Sequence, residues 1–250
     1  MTARTRFLPL LLVAILAAGC AAASTASPEV SPEPSPSEEP EASKPQGSAP
    51  VEPTPMPCVP GFVCQGELAP GEYTSTSTGV TITFTLSSEG WSGLEDTTPG
   101  DGFALFNTAA TAVHGIAVVL YSGEVFSGVC SPEPVETIGS SAADFIAFLA
   151  AVEGVEAGAP VDTTVGGLPA IQLDLTTDSP CTDPDRMWLW TLPVHGDFHF
   201  NDGEWVRVYA IDAGNVTLVM VIEAFREADY EALLLKADEI LSTMVISPGS

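Results

Sequence analysis

EWVRVYAIDAGNVTLVMVIEAF, residues 204–225, reads as two apolar strands around a short turn at Asp212 to Gly214. Side chains of a strand alternate between its faces. In EWVRVYAI and NVTLVMVIEAF the central residues are apolar at nearly every position, so at least one strand must be covered on both sides. The segment therefore predicts a hairpin deep in a sheet, with helices as covers.

Working outward, VTITFTL (Val80–Leu86) alternates, putting Ile82, Phe84 and Leu86 on one face, and EGW follows as a break. Further strands are expected at FALF from Phe103, GIAVVLYS from Gly115, AIQLDL from Ala170 and MWLWTLPV from Met187. One covering helix is signalled by Ser141 to Asp144, a capping box in which serine oxygen and aspartate satisfy free amides. Its apolar stripe is Phe145, Phe148, Leu149 and Val152, with Gly154 as the stop. The second helix is expected from about Glu227 to Met244, burying Tyr230, Leu233, Leu234, Ala237 and Leu241.

This order of elements resembles the Mog1/PsbP-like domains of exported bacterial lipoproteins, the LpqN and DcrB groups. The resemblance rests on the break at Trp91, on TVGGLPAIQLDL with its glycine turn at Gly166 and Gly167, and on the closing hairpin followed by an amphipathic helix. It covers most of residues 66–247. It implies an α+β fold, an antiparallel sheet sandwiched between helices (α/β/α), used by interaction or accessory modules with no catalytic residue set. Fold alone does not give function.

The amino terminus gives an address. Arg4 and Arg6 precede an apolar run from Phe7 to Ala18, the charged and hydrophobic parts of an export signal. The run is short for a span, since a hydrocarbon core of about 30 Å needs roughly 20 apolar residues, and it contains Pro9. Ala17, Ala18, Gly19 and Cys20 resemble the lipobox of bacterial lipoproteins, with Ala17 where leucine is usual and Leu16 one place earlier. That resemblance implies residues 1–19 as a signal peptide and Cys20 as the lipidated first residue of the mature chain. The expected location is the cell membrane, lipid-anchored, facing the extracytoplasmic side.

Residues 20–57 read as the lipidated cysteine and a disordered linker. Ten of the chain's 22 prolines lie in residues 21–57, with Glu29, Glu33, Glu38, Glu39, Glu41 and Glu52 against a single Lys44. So little apolar surface cannot drive folding, and proline with like charge extends the chain. At about 3.1 Å per residue this spacer reaches up to on the order of 100 Å. Residues 58–250 are the right length for one globular domain. Arg186, Arg207, Arg226 and Lys236 are its only strong cations in a chain of net charge −26. A polyanion would be repelled, so nucleic acid is excluded as a partner, and the acidic surface keeps the protein soluble.

Beyond Cys20 the cysteines are Cys58, Cys64, Cys130 and Cys181, an even number in a compartment where disulfides persist. Three pairings are possible. PCVPGFVCQG favours Cys58 with Cys64, and the proline-flanked loops VCSPEP and SPCTDP favour Cys130 with Cys181. Four thiolates on zinc would ask for tighter spacing.

Candidate chemistry is sparse. In HGDFHF, His195, Asp197 and His199 alternate and would share one face of a strand, a reasonable transition-metal set if Gly196 bends the chain. Asp178, Asp183 and Asp185 lack the spacing of a calcium loop, and His114 stands at the entry of an apolar strand. No nucleophile elbow or phosphate loop occurs. Trp188 and Trp190 are two apart and would lie about 7 Å from each other on one face of a strand. That spacing suits a sugar ring or an apolar partner, though core filling explains it better. The sequence thus predicts a non-enzymatic binding or accessory module of the cell envelope, without a cofactor. Its partners would be the membrane through Cys20 and an envelope protein, polymer or small ligand. The alternative is a metal-dependent envelope hydrolase using His195, Asp197 and His199.

Overall fold

The 204–225 segment folds into two strands, β14 (Trp205–Asp212) and β15 (Thr217–Ala224), paired antiparallel from Trp205 with Ala224 to Asp212 with Thr217. The computed structural model describes residues 63–95, 100–108, 114–182, 186–194 and 196–248. All of them belong to one unit, Thr54–Ser250.

The hairpin lies at the centre of an antiparallel sheet. On one side follow β6 (His114–Tyr121), β5 (Gly102–Asn107), β4 (Trp91–Glu95) and β1 (Gly66–Leu68). On the other come β11 (Leu168–Thr177) and then β10 (Val161–Val165), while β9 (Val155–Ala157) pairs with the far end of β11. Trp91 opens β4 as a buried residue, so the break after the first long strand is confined to the preceding turn.

Alternation along β15 splits the core in two. Leu218, Met220, Ile222 and Ala224 enter one cluster, and Val219 and Val221 enter the other. Each fully buried side chain of this kind contributes about 1.5–3 kcal/mol. The first cluster is closed by helix α2 (Glu227–Thr243) and a small sheet of β16 (Val245–Ser247), β3 (Thr81–Leu86) and β2 (Gly71–Ser75). The second is closed by helix α1 (Ala142–Leu149) and a sheet of β13 (Asp197–Asn201), β12 (Arg186–Thr191), β7 (Glu124–Phe126) and β8 (Val135–Thr137).

The α+β class and the antiparallel pairing agree with the sequence. The covers differ: each is a helix plus a small sheet, in place of helices alone. Length gives the reason. Helices of eight and seventeen residues reach about 12 and 26 Å and are roughly 10 Å wide. Eight strands abreast at about 4.8 Å spread over roughly 35 Å.

Ser141 caps α1 as expected, its hydroxyl accepting from the Asp144 amide at 3.1 Å. The helix buries Ala142, Phe145, Ile146 and Leu149 and ends there, five residues before Gly154. Gly154 serves close approach instead, since a Cβ there would stand 2.7 Å from the Asp178 carbonyl oxygen. On α2 the buried stripe is Tyr230, Leu233, Ala237 and Ile240. Leu234 and Leu241 only flank it. Gly166 and Gly167 form the turn from β10 to β11, with φ of 60° and 86°, the left-handed pair that a two-residue hairpin needs.

Candidate functional site

The four-stranded sheet carries the residues singled out above. Its pairing contains a bulge: Trp188 faces His199 and Trp190 faces Phe198, leaving Leu189 as an extra residue on β12. One inserted residue reverses which face the following side chains take. Trp190 is therefore turned inward at 0% exposure, while Trp188 stays half-buried on the outer face. The two indoles do not form a shared platform. Trp190 stacks on Phe198 at 4.3 Å and meets Phe145 of α1 edge-on at 4.9 Å, so core filling holds for this residue.

Trp188 sits between two rings, Phe126 edge-on at 6.2 Å and His199 tilted at 5.7 Å. Asp197 Oδ2 lies 3.6 Å from His199 Nδ1, and each side chain is 29% exposed. Burial, reinforced by the nearby Arg186 charge, holds His199 below the ordinary histidine range, with Asp197 acting in opposition. His195 lies outside the described residues, as do Asp183 and Asp185. Among the described residues no three His, Cys, Asp or Glu side chains gather as a metal site. Trp188, Phe126, His199 and Asp197 together form an aromatic and polar surface.

Cys130 and Cys181 are bonded at 2.07 Å, tying the loop between β7 and β8 to the loop between β11 and β12. Cys64 is also disulfide-bonded. Cys20 and Cys58 lie outside the described residues.

Sequence patterns did not reveal a second polar centre. Glu204, 1% exposed, accepts a hydrogen bond on Oε1 from Asn201 Nδ2 at 2.6 Å, and its amide donates to Thr177 Oγ1 at 2.8 Å. Its Oε2 is buried and unpartnered. Glu223 stands opposite Val206 across the β14–β15 ladder, and Glu204 precedes Val206 by two, so both glutamates point to one face. Burial pushes Glu223 up to about 8, with the Glu204 charge adding to the rise. Burial also raises Glu204, against the bonds from Asn201. Like charges near each other, with water partly excluded, favour the protonated form. Among so many acids only the strand register singles out this pair.

His114, at 2% exposure, has Nε2 3.7 Å from Asp229 Oδ2 on α2. Burial lowers its pKa, Asp229 opposes that shift, and Arg226 adds to it. It is a packed residue between β6 and α2, as its entry position suggested.

No protein-family model matches this sequence, and no curated protein matches it. Among solved structures the chain is similar to LpqN, involved in cell envelope biogenesis of Mycobacterium tuberculosis. The identity is 15% over 71% of this chain and 91% of that chain, with a TM-score of 0.41. It is also similar to the solution structure of cyanobacterial PsbP (CyanoP) from Synechocystis sp. PCC 6803. There the identity is 13% over 77% of this chain and 99% of that one, with a TM-score of 0.39.

Proposed function

We propose that this chain is an exported lipoprotein, anchored through Cys20, whose domain is a non-enzymatic binding or accessory module of the cell envelope. The Trp188 surface carries the reading. An indole left half-buried between Phe126 and His199 offers a flat apolar face with polar neighbours, the composition of a recognition site. Residues 21–57 would hold that surface away from the bilayer, toward an envelope protein, polymer or small ligand. The lipobox-like run Ala17, Ala18, Gly19 and Cys20 supports the anchor; among the described residues no helix is long and apolar enough to cross a membrane.

Capture from envelope extracts tests the module. The full chain should retain a partner that Trp188→Ala loses while still folding; equal retention by both would overturn the assignment of Trp188.

A second reading, a metal-dependent envelope hydrolase, is favoured by the Asp197–His199 contact. Metal analysis of the purified chain separates the two. Stoichiometric zinc lost in a His195→Ala, His199→Ala double variant would replace the binding reading with the hydrolase.

A further inference from the structure

A groove of about 230 Å3 opens between the end of α1 and the β7–β8 hairpin. Phe126, Val129, Phe148 and Val152 give it an apolar floor, and Glu136 and Glu153 add two exposed carboxylates. Neither carboxylate has a side-chain hydrogen bond or ion pair among the described residues. Arg186, the single cation within the strands of this sheet, is exposed and does not line the groove.

The Val129 wall is tied down by a disulfide and a backbone hydrogen bond. Cys130, next to Val129, is bonded to Cys181, and the Val129 carbonyl accepts from the Trp188 amide at 2.8 Å. Phe126 belongs both to the groove and to the Trp188 surface. A wall held this way loses little conformational entropy when the groove is filled.

An apolar floor with two unpaired acids calls for an occupant with an apolar stem and a cationic head. Lysine and arginine both lay their stems on apolar surface. Only guanidinium is planar, presents five donors to more than one carboxylate, and stacks on aromatic faces. We propose that this groove seats an arginine side chain of a partner protein, its stem on Phe126 and Phe148 and its guanidinium between Glu136 and Glu153. The proposal rests on the binding-module reading and names the chemistry of that partner. The chain's net charge of −26 would speed the encounter with a basic segment.

The test titrates the isotope-labelled full chain with acetyl-Leu-Arg-Leu-amide and with its citrulline counterpart, which has the same shape without the charge. Amide shifts should centre on Gly128, Val129, Glu136 and Val152. The arginine peptide should reach its midpoint at a concentration about tenfold lower than the citrulline peptide, the scale of a charge-assisted contact. Glu136→Gln with Glu153→Gln should erase that difference and leave the rest of the spectrum in place. Equal midpoints, shifts spread over the acidic surface, or an undiminished arginine preference in the double variant would overturn the proposal. Envelope capture that survives in the double variant but not in Trp188→Ala would overturn the groove and leave the module standing. No capture by the unaltered chain would overturn the module itself.

Discussion

Trp188 and Trp190 show how a single residue's setting fixes its role. Removing the Trp190 ring leaves a cavity lined by Phe145, Phe198 and Phe200, so Trp190→Ala should cost about 3–5 kcal/mol in denaturant unfolding. Trp188→Ala, at a half-buried position, should cost much less and act on partner capture. Glu223 makes a different prediction. Its folded pKa, about 8, lies above an unfolded value of about 4.3. A raised folded value means stability is fully present below the unfolded pKa and is lost as pH rises through the folded one. The melting temperature of the unaltered chain should therefore fall between pH 5 and pH 9. Glu223→Gln should flatten that fall, by about 2–4 °C for each kcal/mol recovered in a domain of this size. Parallel curves for the two proteins would contradict the upward shift of Glu223 beside Glu204.

Among the elements, the four-stranded sheet depends on two devices that propensity does not supply. The bulge at Trp188 to Trp190 turns β12 over, and the Cys130–Cys181 bridge, with a sequence separation of 51, fixes two loops that contain little regular structure. On the chain-entropy account a loop of that size contributes about 4 kcal/mol. Cys130→Ser with Cys181→Ser should lower urea stability on that scale and loosen first the segments around Val129 and Pro180, a loss readable by amide exchange. Ser141→Ala removes the cap on α1 and should cost about 1 kcal/mol, a smaller effect because the helix is also held by Phe145, Ile146 and Leu149 in the core.

For the molecule as a whole, the proposed tether sets where every surface acts. If Cys20 carries acyl chains, Cys20→Ser should move the protein from the membrane fraction to the soluble extracytoplasmic fraction with its fold unchanged. Two or more chains are needed for stable anchoring, so partial retention would point to a second hold on the membrane. Net charge of −26 acts over a Debye length of about 8 Å at physiological salt. Weak capture of basic partners should fall with added salt, whereas contacts on the Trp188 face should persist.

What composition and periodicity determined is considerable. The doubly apolar hairpin, the strand of Ile82, Phe84 and Leu86, the capped α1, the closing helix and the Cys130–Cys181 pair follow from local chemistry, because each depends on neighbours a few residues away or on a small set of candidates. Short pieces such as β8 and β9, three residues each, carry too little pattern to announce themselves. The tertiary structure alone decided that Trp188 and Trp190 take opposite faces, since a one-residue bulge is a property of the pairing with β13 and leaves no mark in the alternation of MWLWTL. It alone brought Glu204 near Glu223, and Glu136 and Glu153 to one groove, because side chains on separate elements meet only when strand register and helix packing place them together.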